Sequence, residues 1–369
     1  MVAFILAVAG PVGYLAVTGT QKTAAAVTTV TTVATGLHNP RGLNFAPDGS
    51  LYVVEAAANG TPSMQCRVMG DNSTKCDAET GSITRIDLNT GDATRVITSL
   101  PSLISPNGIA NSGTGVHDIS FQGLGNAYVT MGFGGNPSWR ASTFGTAGES
   151  FSRLGSLSPS GRLRLYEDLG QYEFDFNPDA PNPTDTNPYG ILALPGKVVY
   201  TDAGGNTLNQ VDANGDISTL AVFPNRVITR PNGAMVTIQA VPTSVAIGPD
   251  GDYYVGQLTG GPFTVGVANV YRVPAGGGTP VVAYSGFTNI IDLAFAPDGT
   301  LYVLELAKNA IPNFNPGRLA HVALDGSVTE IAPGLLSAPG GIAVASDGAL
   351  YVTNRSTSST LGSVVRIEP

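Results

Sequence analysis

Six times along the chain, a small or acidic residue opens a run of alternating apolar and polar positions. A tight turn follows, then a second alternating run rich in aromatic residues and valine. The copies begin at Gly42 (GLNFAPDGSLYVVEA), Asp118 (DISFQGLGNAYVTMG), Gly190 (GILALPGKVVYTDA), Ser244 (SVAIGPDGDYYVGQL), Asp292 (DLAFAPDGTLYVLEL) and Gly341 (GIAVASDGALYVTNR). Period-two alternation on both sides of a Pro-Asp-Gly-like turn is the signature of a β-hairpin, and Gly49, Gly251, Gly299 and Gly348 supply the positive φ such turns need. A second hairpin follows each of the first five copies, as in SITRIDLNTGDATRVITSL after the first. Two hairpins in succession make a four-stranded antiparallel unit.

The sixth copy is followed by a single further strand, SVVRIEP, while residues 27–37 (VTTVTTVATGL) resemble the fourth strands of the other units. The pattern therefore predicts an all-β chain: a six-bladed β-propeller of four-stranded antiparallel blades over residues 27–369, with the last blade closed by the N-terminal strand. A β-sandwich would explain the hairpins but neither the six aligned copies nor the complementary gap at the two ends. Successive copies start 76, 72, 54, 48 and 49 residues apart, so the first three units carry the insertions. Length accumulates between second and third strands, at 56–81 and 132–150, and between units, at 170–188 and 224–242. In a propeller both kinds of loop leave the same face, which is where a rigid scaffold places a binding surface. The stretch Phe176–Pro188, FNPDAPNPTDTNP, belongs to these long loops.

Composition agrees and narrows the partners. Gly and Pro together make 73 of 369 residues and charged residues only 12%, which opposes a helical bundle. A formal charge of -9 argues against nucleic acid or an anionic membrane surface as partner, since either needs a basic footprint. The apolar run at residues 1–19, followed by Ala24 and Ala26, fits an export signal, with residues 1–26 acting as a signal peptide or as an N-terminal anchor. Export places the protein in a secreted, periplasmic or cell-surface setting. In that setting Cys66 and Cys76 read as a disulfide stapling a loop. A monomer is expected.

Nucleophile, phosphate and dinucleotide motifs are missing from the sequence, and three histidines in total disfavour a multi-histidine metal site. Chemistry is left to residues where strands meet the channel mouth. First strands bring Arg41, His117 with Asp118, Tyr189, Thr243 with Ser244, and Asp292; His117 beside Asp118 is a candidate general base oriented by a carboxylate. Arg41, Tyr189, Thr243 and Asp292 are candidate ligand contacts. Second strands end at Glu55, Asp202, Gln257, Glu305 and Asn354. Carboxylates on alternate units suit a hard cation, so Glu55, Asp202 and Glu305 are candidate ligands for calcium or another divalent ion in the channel. Capping of backbone N–H groups or pairing with arginine is the competing use of the same side chains. Repeated Gly-Gly-Asn at Gly134–Asn136 and Gly204–Asn206 suggests turns that expose amides to a ligand or to a neighbouring loop, with Asn206 and Asn354 as further ligand contacts. Trp139 is either an aromatic platform or the plug of a long loop.

Taken together, HNPRGL at His38, GSITR at Gly81, HDISF at His117, NPYG at Asn187, AVPTS at Ala240 and FTNIID at Phe287 resemble the ScyD/ScyE family. These are exported propeller proteins named for the scytonemin pigment gene cluster of cyanobacteria. The resemblance covers residues 27–369 and implies kinship with NHL and gluconolactonase-like six-bladed propellers, with no established reaction. Where the family pattern commonly has Glu, this chain has Gln257. The wider superfamily includes lactonases, streptogramin-type lyases and strictosidine-type synthases. A lactonase-like metal set would cast Glu55, Asn206, Asn354 and Asp202 by residue type. The sequence leaves three functions open. One is binding of a small molecule, glycan or protein on the loop-bearing face; the second is a metal-dependent lactonase- or lyase-like activity at the channel mouth; the third is a structural or cell-surface interaction module.

Overall fold

A computed structural model describes residues 28–369 apart from 70, 71, 124, 159 and 231; the signal or anchor expected at residues 1–26 lies outside the described residues. Six four-stranded antiparallel blades form a ring. Blade one runs Pro40–Phe45, Leu51–Glu55, Thr74–Ile86 and Ala93–Ile104, and blade two Val116–Gln122, Asn126–Met131, Arg153–Leu157 and Leu163–Asp168. Blades three, four and five begin at Pro188, Pro242 and Ile290. Blade six takes Gly341–Val344, Leu350–Asn354 and Gly362–Glu368 from the C-terminal end and Thr29–Leu37 from the other end, with Thr29 opposite Glu368 and Leu37 opposite Gly362. The predicted closure is therefore observed, beginning two residues later than expected.

Period-two alternation feeds two cores at once, because both faces of every blade are covered. In Leu51–Glu55, Leu51 and Val53 pack towards blade six, with Leu37, Ala343 and Tyr351. Val54 packs towards blade two, with Ile119 and Val129. One apolar slab of this kind fills each of the six blade interfaces. Threonines beside the channel fasten neighbours: Thr243 Oγ1 donates to the Ile290 carbonyl at 2.8 Å, Thr353 Oγ1 to that of Arg41 at 2.8 Å, and Thr130 Oγ1 to that of Tyr189.

The insertions build a superstructure on one face. They hold the short strand Cys66–Val68, the helices Trp139–Gly148 and Leu169–Phe176, and a separate hairpin of Arg226–Thr229 with Met235–Ile238. Cys66 and Cys76 form the expected disulfide across an antiparallel pair. Met69, Leu103, Phe133, Phe144 and Phe151 make a seventh apolar cluster that packs the insertions of blades one and two together, with Trp139 against it. No helix among the described residues is long and apolar enough to cross a membrane.

Candidate functional site

The residues where second strands end carry out structural work in their own blades. Glu55 is fully buried and accepts from the His38 backbone N–H at 2.6 Å, Ser82 Oγ at 3.1 Å, Thr84 Oγ1 and Arg95 Nη2 at 2.8 Å. Asp202 accepts from Thr186 Oγ1 and from the N–H groups of Asn187, Gly204 and Gly205 at 2.7–3.0 Å. Glu305 takes the Thr288 N–H and Arg318 Nη1, and Asn354 Oδ1 takes the N–H of Ser337 and Arg355. Four blades thus use one device: a polar side chain ending the second strand caps the N–H just before the first strand, one to four residues ahead of it. Blade four substitutes Gln257, whose Oε1 accepts from Arg226 Nη2 and the Asn269 N–H. An arginine from the added hairpin is served there by a neutral oxygen.

These bonds are the capping and arginine-pairing use that the sequence set against cation binding by Glu55, Asp202 and Glu305. Each carboxylate is directed into its own blade by hydrogen bonds. Among the described residues no three His, Cys, Asp or Glu side chains already converge as a metal cage. The lactonase-like quartet of Glu55, Asn206, Asn354 and Asp202 is likewise distributed over separate capping roles. Asn206 Oδ1 accepts from the Val241 N–H, and its Nδ2 donates to Asp179 Oδ2 and the Gly204 carbonyl.

His117 and Asp118 turn to different partners. Neighbours on a strand point to opposite faces. His117 Nδ1 meets the Pro188 carbonyl at 3.0 Å and its ring lies 4.3 Å from that of Tyr189. The Asp118 carboxylate instead accepts from the N–H groups of Ile119 and of Ile191 in blade three. Burial, reinforced by the Arg41 charge, pushes the His117 imidazole down to about 3, so it stays neutral with Nδ1 as the donor. Asp292 repeats the Asp118 device on the opposite side of the ring, accepting from Leu293 and from Ile342 of blade six. Burial, with the Asp292 charge adding to it, holds Asp118 well above the usual carboxylate range, and burial likewise raises Asp292. Arg41 Nη2 donates to the Gly113 carbonyl, while its guanidinium charge and a hydrogen bond from it partly offset the burial that raises the Tyr189 phenol. Arg41, His117, Asp118, Tyr189, Thr243 and Asp292 are therefore brought to the channel, but as the pins that hold adjacent blades in register. The amides of Gly204 and Gly205 are consumed by Asp202, those of Gly134 and Gly135 by the Thr186 carbonyl, and the Trp139 ring is covered by Arg67 at 4.0 Å.

Room for a ligand lies one layer above these pins. A cavity of about 260 Å³ is lined by Met69 and Lys75 of blade one, Thr114, Phe133 and Gly134 of blade two, Asp185, Asn187, Ala203 and Gly204 of blade three, and Gln239 and Val241 leading into blade four. Thr114, Asn187 and Val241 lie one or two residues ahead of first strands, so the cavity caps the channel on the loop-bearing face. Met69 and Phe133 give it an apolar floor; Lys75, Asp185, Thr114 and Gln239 give polar walls of both charge signs. Lys75 Nζ reaches the Ser112 carbonyl at 3.0 Å. Burial and the charges of Asp202 and Asp179 push Asp185 up to about 7. Val241 sits at φ 52, a left-handed conformation seldom taken by a β-branched residue, and the Asn206 bond to its N–H helps hold it there. None of Met69, Lys75, Phe133, Asp185 or Gln239 was singled out by motif, because they come from four insertions that the sequence does not align. The one legible signal was the density of Asp and Asn in Phe176–Pro188.

Comparison with protein-family models finds no match, and comparison with curated proteins finds none. Solved structures do match. They include a streptogramin B lyase (14% identity, TM-score 0.50, covering 92% of this chain and 97% of that one) and the PQQ-bound aldose sugar dehydrogenase of Streptomyces coelicolor (15%, 0.52, 92% and 98%). A putative glucose dehydrogenase of Thermus thermophilus matches at 16% identity with a TM-score of 0.53, covering 92% and 100%. At these identities the likeness shows the six-bladed propeller fold alone, and that fold carries unrelated activities. The more specific ScyD/ScyE resemblance rests on the sequence motifs.

Proposed function

We propose that this chain is an exported propeller of the ScyD/ScyE type that binds a small polar molecule in the cavity above its channel. The observation that carries this reading is the convergence of four blades on one 260 Å³ space with an apolar floor and both charge signs in its walls. Concave sites lined by apolar surface with a few placed polar groups are the usual form of small-molecule sites. The Cys66–Cys76 bridge supports export, since such bonds persist in oxidising compartments. A ligand carrying a carboxylate near Lys75 and a hydrogen-bond donor near Asp185 matches the walls. Catalysis is disfavoured because His117, Asp118 and Glu55 are committed to hydrogen bonds within the scaffold.

A library of small carboxylates, amino acids and sugar acids screened by thermal shift on the full chain tests this. At least one class should raise Tm and bind by calorimetry, and Gln239→Trp, which fills the cavity from its rim, should abolish that binding while leaving the unliganded Tm near that of the parent. Binding that survives Gln239→Trp refutes the site. Turnover of a lactone or ester panel that is lost in Lys75→Met would replace the binding reading with an enzymatic one.

A further inference from the structure

Beside the cavity, the loop from blade two to blade three holds an excess of oxygen without a partner. Among the described residues fifteen buried side-chain polar atoms have no hydrogen-bond partner, and four of them fall in thirteen residues: Glu173 Oε1, Asn177 Oδ1, Asp179 Oδ1 and Asp185 Oδ1. All four are acceptors. Glu173 is 2% and Asp179 5% exposed, so neither oxygen can be satisfied by bulk water.

Glu173, Asp179 and Asp185 border one turn, Gly204-Gly205-Asn206, and Asn177 lies between them in the chain. A methyl group on Gly205 would lie 2.7 Å from Glu173 Oε2 and 3.4 Å from Asp202 Cγ, and one on Gly204 would lie 2.9 Å from the Asp185 carbonyl carbon. Asn206 Nδ2 ties Asp179 Oδ2 to the same turn at 2.8 Å. Glycine at both positions leaves space that any side chain would fill. No ion pair with a described residue involves Glu173, Asp179, Asp185 or Asp202. Four donors satisfy Asp202; among the described residues the other three acids have no basic side chain as an ion-pair partner. Buried carboxylates without such partners are either held neutral or bound to a cation.

We propose that Glu173, Asn177, Asp179 and Asp185 bind one calcium ion. The donors are oxygen only, they come from the last turns of the helix Leu169–Phe176, its C-cap and the irregular backbone that follows, and the segment has no His or Cys to favour a softer metal. Among the described residues the three acids do not form a ready-made cage, so binding has to draw them together. Asp185 also lines the cavity, so the ion would fix one of its walls, yet the site stands whether or not a small molecule binds there.

The test uses the full chain, stripped with EDTA and titrated with CaCl2 or MgCl2 by calorimetry, with Tb³⁺ luminescence sensitised by nearby Tyr172 and Tyr200 as a second readout. One calcium should bind with a Kd of about 1 mM or tighter, ahead of magnesium. Glu173→Gln and Asp179→Asn should each weaken it at least about tenfold. Asn177→Asp, which adds a charge without removing an oxygen, should tighten it, and the distant Asp325→Asn should change nothing. Failure of the folded parent to take up calcium at about 10 mM overturns the proposal, as does unchanged affinity in Glu173→Gln, Asp179→Asn and Asn177→Asp together.

Discussion

Single residues at the channel act as spacers and pins. Gly42 shows how tight this is: a Cβ there would stand 1.9 Å from Asp118 Oδ1 and 2.9 Å from the Asp118 Cα. The side chain that pins blade two to blade three therefore also demands a glycine in blade one. Gly42→Ala should cost about 1–3 kcal/mol in urea unfolding through overpacking. Asp118→Ala, which leaves the N–H groups of Ile119 and Ile191 without an acceptor, should cost at least as much. Combining the two should cost less than the sum, because removing the carboxylate makes room for the methyl group. Strict additivity in that cycle would show that the Gly42 contact is not the source of the penalty. Asp118 was legible in the sequence as a residue at a privileged place, but its role was not. A carboxylate at a strand start looks the same whether it faces a ligand or the neighbouring strand's N–H, and only the ring brings Ile191 to it.

At the scale of elements, the hairpins were readable because alternation and turn chemistry are local. All six copies and the terminal exchange are where the pattern placed them. The two short helices and the Arg226–Ile238 hairpin were not anticipated, since their order comes from contacts remote in sequence. Arg140 of the first helix is held by the Phe151 carbonyl and by Asp168, and Asp168 in turn caps the second helix at Gln171. Blade six carries the sharpest element-level expectation. A chain starting at His38 lacks Thr29–Leu37 and exposes the full edge of Gly362–Glu368 together with the Val364 side of the blade six–one slab. It should elute as aggregate in size-exclusion chromatography, and addition of the Thr28–Leu37 peptide should restore monomer. A well-behaved monomer without the peptide would mean that the ring closes without this strand.

The whole molecule combines a net charge of -9 with acids buried in the ring. Burial raises Asp118 and Asp292, and it raises Glu305 to about 7 despite the Arg318 charge. A group raised in the folded state stabilises fully below its unfolded value and loses that contribution as pH climbs through the folded value. The exposed turn aspartates, such as Asp48 and Asp347, are held low by bonds from Ser50 and Ala349 and act in the other direction, giving up stability only in strong acid. In EDTA, the urea midpoint should therefore be higher near about pH 5 than near about pH 8. Asp292→Asn should flatten that slope. A midpoint that rises across this range would contradict the buried-acid account.

Closure of blade six by both ends of the chain also decides how the molecule answers to force. Thr29 sits beside Glu368, so tension applied through a surface tether at one end and a cargo at the other pulls on two adjacent strand ends at the same edge. The hydrogen bonds between Thr29–Leu37 and Gly362–Glu368 are then loaded one after another, as in a zipper, instead of together in shear. For mechanical purposes the ring therefore has a designated seam.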